Sequence, residues 1–193
     1  MVTKNDVMTA SRSEVLPELV IVEPKIFRDQ RGFFLETYRE STYRDWGIAD
    51  RFVQDNSSCS VKGVLRGLHY QLGEQQGKLV WAAQGEVFDV AVDIRMGSAT
   101  FGRWEGLWLS SENHRQVYIP PGFAHGFCVK SESALVMYKC TRYYALKEER
   151  GIRWDDPQLA IDWPLKEPIV SEKDSMLPTL DQALEKDLPS YSQ

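Results

Sequence analysis

Short apolar runs alternating with polar residues recur along most of this chain, and turn residues break them at close intervals. The clearest is EVFDVAVDIR over 86–95. Phe88, Val90, Val92 and Ile94 fall on one face of it, and Val87, Asp89, Ala91 and Asp93 on the other, which is the two-residue period of a strand. The same test predicts strands in LVIV (19–22), FFLETY (33–38), RFVQDNSSCSV (51–61), GVLRGLHYQ (63–71), KLVWAA (78–83), RWEGLWLS (103–110), QVYIP (116–120), AHGFCV (124–129) and LVMYKCTRYYA (135–145). Turns are expected at DQRG (29–32), GEQQG (73–77), QGE (84–86), MGSATFG (96–102) and PPG (120–122). Many short strands at even spacing indicate an all-β sandwich or barrel.

Two short helices interrupt the pattern, one around 40–46 before Gly47 and one in TLDQALEKDL (179–188), where Thr179 and Gln182 form a capping box. Residues 1–17 read as a flexible polar arm. Residues 18–193 read as one domain with a C-terminal loop and helix extension, since no linker or repeat divides them.

A net charge of −5 and a pI near 5.3 exclude the basic face of a nucleic-acid binder. They leave room for a small anionic ligand held by local Arg and Lys. Cys59, Cys128 and Cys140 are odd in number, widely spaced and without a CxxC, so neither a disulfide framework nor a zinc knuckle is expected. No segment has the apolar length of a signal peptide core or a membrane span, and a cytoplasmic protein is expected.

The chemistry narrows to few residues. His114 sits in a polar turn, SSENHR, and reads as a loop residue. His69 in RGLHYQ and His125 in PPGFAHGF lie on strands, among arginines, a lysine and amides. PPGFAH is similar to the second metal motif of the cupin superfamily, built on PxGxxH. The first cupin motif, HxH followed by Glu, is replaced here by HYQ at 69–71, which leaves fewer than the three ligands a catalytic metal needs. No metal and no cofactor are expected. Strand parity puts Gln54 and Asn56 on one face with Asp55 on the other, and groups Tyr138 with Val136 and Cys140. Arg66 and His69 have opposite parity. If both serve one site, a bulge or kink must fall at Gly67.

DQRGFFLETYRE, FVQDNSSCSVKGVLRGLHYQ, QGKLV, GEVFDVAVDIR, IPPGFAHGF, YKCTRYY, GIRWDDPQLAIDWP and VSEKD follow one another from Leu19 to Leu180. In this the chain resembles the dTDP-4-dehydrorhamnose 3,5-epimerases. The resemblance implies a cupin-type double-stranded β-helix, or jelly-roll barrel, with short helices mainly at the C-terminus. It implies epimerisation of dTDP-4-dehydro-6-deoxy-D-glucose at C3 and C5, by proton abstraction next to the C4 ketone. His69 matches the general base, Asp174 its carboxylate partner and Tyr138 the general acid. Lys78 and His125 match residues of the sugar pocket. Arg31, Glu36, Gln54, Asp55, Asn56, Arg66, Glu149 and Lys173 match positions contacting nucleotide or diphosphate, and Tyr143 a residue stacking on thymine. A homodimer is implied, with Arg31 and Glu36 near a strand that packs on the partner.

Two departures stand out: a loop between His69 and Lys78 one residue shorter than in some members, and Trp81 where many members carry a polar or basic residue. Rival readings are a mono-epimerase acting at C3 or C5 alone in an antibiotic sugar pathway, a metal-dependent cupin oxygenase, and a non-catalytic nucleotide-sugar binder.

Overall fold

The structure, a computed structural model, describes residues 8–183 and 185–191. In chain order the elements are β1 (Met8–Arg12), β2 (Val20–Pro24), β3 (Phe27–Asp29), β4 (Gly32–Phe34), α1 (Glu40–Asp45), β5 (Gln54–Val61), β6 (Leu65–Gln71), β7 (Lys78–Gln84), β8 (Glu86–Asp93), β9 (Trp104–Ser110), β10 (Gln116–Ile119), β11 (Phe123–Val129), β12 (Ser133–Cys140), β13 (Glu149–Gly151) and α2 (Glu172–Ser175). They form a six-stranded sheet, β1-β2-β10-β7-β12-β5, and a five-stranded sheet, β13-β6-β11-β8-β9. Every pairing within both is antiparallel.

The alternation in the sequence explains how the layers stack. Val80, Ala82, Val117 and Val136 of the six-stranded sheet meet Val87, Ala91, Phe123 and Phe127 of the five-stranded sheet in one buried cluster, the inside of the barrel. The opposite faces are covered too. Leu68, Val90 and Val92 pack under Ile152, Leu159, Trp163 and Leu180 of the tail. Val20, Val22 and Leu79 pack under Tyr43 and Ile48 beside α1. Because β8 is covered on both faces, Asp89 and Asp93 on its inner face are buried at 1% and 0% exposure and must find partners. No helix among the described residues is long and apolar enough to cross a membrane.

Three expectations change. The polar arm over 1–17 does not hold for its second half: Met8–Arg12 pairs along β2, and Met8 and Leu16 are buried; residues 1–7 lie outside the described residues. The strand over 33–38 stops at Phe34, because the carbonyl of Thr37 accepts from the Tyr43 hydroxyl and Gln116 Nε2 instead of joining a ladder. At 179–188 the capping box forms, with Thr179 N–H to Gln182 Oε1 at 3.0 Å and Gln182 N–H to Thr179 Oγ1 at 3.3 Å. It opens only a turn, followed by a 3-10 turn at Glu185–Asp187. The Leu180 N–H is held by the Asp156 carboxylate, and Leu180 and Leu188 are both drawn into the core; residue 184 lies outside the described residues.

Candidate active site

The site is positioned by an irregularity in β6. Against β11, His69 pairs with His125 and Arg66 with Phe127, so three steps on β6 match two on β11. The extra residue falls at Gly67–Leu68, where Gly67 has φ 115° and the peptide to Leu68 is cis. Leu65 and Leu68 therefore both point out under the tail, while Arg66 and His69 line the same cavity. This is the bulge that the parity of Arg66 and His69 requires. A side chain at Gly67 would collide with the β11 backbone, since its Cβ would lie 2.7 Å from both Gly126 Cα and His125 O.

His69 Nε2 lies 2.8 Å from Asp174 Oδ1. Asp174 is 4% exposed, on α2, whose N-cap Ser171 accepts from the Asp174 N–H. Its other oxygen accepts from the Gly67 N–H at 3.2 Å. Burial works to raise the Asp174 pKa, but the bond and charge of His69, the Gly67 N–H and Ser171 outweigh it, and the carboxyl is held below its ordinary range. A carboxylate accepting from Nε2–H leaves Nδ1 as the basic nitrogen of a neutral ring.

Tyr138 enters from the other sheet. On β12 it shares the inner face with Val136, and it lines an inner cavity of about 150 Å³ with Ser58, Arg66, His69, Lys78 and His125. Desolvation raises its pKa. Lys78, half-buried at the start of β7, lines both this cavity and a larger outer one. Desolvation lowers its pKa, against the pull of Cys140, Asp89 and Glu149. His125 is 7% exposed, and its Nε2 lies 2.8 Å from Asp89 Oδ2. Two imidazoles, each against a buried carboxylate, thus face the same space.

An outer cavity of about 300 Å³ shares His69, Lys78 and Tyr138 with the inner one and adds Gln54, Asn56, Tyr70, Gln71, Gln76, Tyr144 and Glu149. Gln54 Nε2 donates to Asn56 Oδ1, and Gln54 Oε1 accepts from the Tyr144 N–H. Glu149 accepts from the Tyr144 hydroxyl at 2.7 Å and pairs with Lys173. These contacts overcome desolvation and hold its carboxyl below the ordinary range.

The structure therefore gathers His69, Asp174, Tyr138, Lys78, His125, Arg66, Gln54, Asn56, Glu149 and Lys173 around three cavities that all border His69. Four candidates are not gathered. Asp55 points to the other face of β5, where Lys139 Nζ bonds both of its oxygens. Tyr143 is 70% exposed and lines neither cavity; its neighbour Tyr144 takes that place. Arg31 lies on the β3–β4 hairpin, bonded to Asp29, and Glu36 is bonded to Arg39. Sequence reasoning missed Asp89, although its inward parity with Ala91 marked it as a buried carboxylate. Trp81 has opposite parity to Lys78 and faces away from the site, so it is not a pocket wall.

Against known proteins, the family model for dTDP-4-dehydrorhamnose 3,5-epimerase matches residues 13–182. The dTDP-4-dehydrorhamnose 3,5-epimerase of Pseudomonas aeruginosa is 55% identical over 169 residues, covering 86% of this chain and 93% of its own. The dTDP-6-deoxy-D-glucose-3,5-epimerase of Legionella pneumophila, solved in complex with dTDP-4-keto-L-rhamnose, superposes with a TM-score of 0.93 at 54% identity, covering 96% of this chain and 100% of that one. A 3'-monoepimerase from Streptomyces bikiniensis, solved in complex with dTDP-quinovose, superposes with a TM-score of 0.87 at 33% identity, covering 94% and 93%. With its two-sheet jelly roll and its match over nearly the whole folded length, the chain belongs to the dTDP-4-dehydrorhamnose 3,5-epimerase family, cupin-fold isomerases that epimerise an activated keto sugar.

Proposed function

We propose that His69 removes the protons at C3 and C5 of dTDP-4-dehydro-6-deoxy-D-glucose, and that Tyr138 returns them from the opposite face to give dTDP-4-dehydro-L-rhamnose. The observation that carries this reading is the 2.8 Å His69–Asp174 pair on one sheet, opening into the cavity that Tyr138 lines from the other. Inversion needs a base and an acid on opposite sides of a carbon, and facing sheets supply two sides.

The protons flank the C4 carbonyl, yet they remain far less acidic than an imidazolium. Each unit of mismatch costs about 1.4 kcal/mol, so the site must favour the enolate over the ketone. Lys78 supplies a cation for the developing oxyanion. His125 adds a donor, held in orientation by Asp89, and Asp174 compensates the imidazolium formed on His69. The outer cavity, with Gln54, Asn56, Tyr144 and Glu149, takes the nucleotide, and Arg66 and Lys173 take the diphosphate. Remote binding energy there holds the sugar in place for the proton transfers.

Arg31 and Glu36 lie away from these cavities, on a hairpin region with Phe27, Phe33 and Phe34 exposed at 41%, 55% and 69%. This supports a homodimer in which the hairpin packs on a second copy and brings both residues towards the partner's site. Light scattering at micromolar concentration tests it, a monomer counting against it. The unpaired thiols support a reducing compartment, the cytoplasm.

The test of the reaction is incubation of chelator-treated protein with the substrate in D2O, followed by NMR. Deuterium at both C3 and C5 is expected. Label at one carbon selects the mono-epimerase reading, which the likeness to the S. bikiniensis 3'-monoepimerase keeps as the second choice. Loss of label after chelation favours a metal-dependent enzyme. No label, with the substrate shown to bind, overturns the catalytic assignment.

A further inference from the structure

The inner face of β5 presents four polar side chains in a row, Gln54, Asn56, Ser58 and Ser60. Three have partners. Gln54 and Asn56 bond each other, Asn56 Nδ2 lies 3.6 Å from Cys140 Sγ, and Ser60 Oγ accepts from Arg66 Nε at 3.0 Å. Ser58 has none among the described residues, although its Oγ is closed off from solvent. Its cross-strand neighbour is Val136, which offers no polar side-chain atom. A hydroxyl removed from water without a hydrogen bond costs stability, so a buried orphan is either an unexplained defect or a group waiting for a partner.

Its position favours the second. Ser58 lines the inner cavity with His69, Tyr138, Lys78 and His125, the groups that surround the reacting sugar in the reading above. It is absent from the outer cavity, which holds the amides, Tyr144 and Glu149. From this we infer that Ser58 is a substrate-positioning residue. Turned about χ1 into the cavity that the residue lines, its hydroxyl bonds a ring hydroxyl of the sugar and fixes the ring between His69 and Tyr138. The inference rests on the proposed assignment of the inner cavity to the sugar.

The experiment compares Ser58→Ala and Ser58→Cys with the unaltered protein, using thermal unfolding, dTDP affinity, and kcat/KM with deuterium uptake from D2O on the 4-keto sugar nucleotide. Removing an orphan hydroxyl should leave Tm unchanged or higher, whereas removing one with an internal partner lowers it. We expect kcat/KM to fall about 10-fold in both variants, the scale of one hydrogen bond, with dTDP affinity unchanged. Equal weakening of dTDP binding would put Ser58 on the diphosphate and overturn the assignment to the sugar. A lowered Tm, or unaltered kcat/KM in both variants, would also overturn it. If the unaltered protein itself exchanges no deuterium, the reading of the cavity fails first, and the two failures are distinguishable.

Discussion

Asp89 Oδ2 lies 2.8 Å from His125 Nε2, a buried contact across adjacent strands whose own register pairs His125 with Ala91 and Asp89 with Phe127. The two side chains meet diagonally on the inner face. The carboxylate takes the Nε2–H, so Nδ1 is the nitrogen His125 offers to the cavity. To donate there the ring must carry a second proton, and Asp89 is the charge that compensates it. Replacing Asp89 by Asn keeps the volume and removes the charge. The expected result is a fall in kcat of about 100-fold with KM changed little, because the contact matters most when the enolate forms. Steady-state kinetics, with circular dichroism to confirm folding, checks it. A rise in KM alone would make the pair a binding feature.

The alkaline limb of the pH profile should belong to Lys78. In the proposed reaction Lys78 and Tyr138 must both be protonated. Desolvation moves Lys78 down from its ordinary 10.5 and Tyr138 up from its ordinary 10.0, shifts that both favour loss of the lysine proton first. We expect kcat/KM to decline on the alkaline side from below pH 10.5. The limb should persist in the residual exchange of Tyr138→Phe and move to higher pH in Lys78→Arg. A limb that disappears in Tyr138→Phe would assign it to the phenol instead.

Asp174 should matter to both rate and stability. Asp174→Asn removes the charge that offsets imidazolium formation and disturbs the tautomer, and a loss in kcat of about 1,000-fold is expected. The stability consequence has a definite sign. A carboxyl whose folded pKa is depressed contributes stability above its unfolded value of about 3.9, and that contribution is lost as pH falls through the lower folded pKa. The Tm difference between the unaltered protein and Asp174→Asn should therefore be full at neutral pH and shrink in acid. A difference independent of pH would mean that the charge of Asp174 is irrelevant to folding.

What the sequence made legible follows from what strand parity can carry. Alternation in 86–95 separated the two faces of β8 correctly, and the conflict between Arg66 and His69 located the bulge at Gly67. Parity also set Asp55 against Gln54 and Asn56, and its side chain does leave the site. Three features lay beyond it. The Asp89–His125 contact joins residues 36 apart through a pairing that no local pattern reveals. The choice between Tyr143 and Tyr144 falls after Cys140, where β12 has ended and alternation no longer defines a face. The burial of Asp174 within a charged run depends on α2 docking against β6, a contact across 107 residues.

Gly67 ties the fold to the chemistry, and its replacement by Ala should damage both. A Cβ there meets backbone atoms of β11 at 2.7 Å, at a φ of +115° that L residues rarely adopt. Backbone cannot swing aside as a side chain can, so β6 and β11 must separate or the bulge must relax. Either movement displaces His69 from its partner strand and the Gly67 N–H from Asp174. The expected loss is about 3 kcal/mol, read as a lower urea midpoint at an unchanged slope. Gly97→Ala is the control, since Gly97 also has positive φ but nothing within 4 Å of its Cβ position. It should lose only about 1 kcal/mol, the cost of the backbone conformation, and keep full kcat. Equal losses in the two variants would show that the close approach of the strands at Gly67 carries no energy of its own.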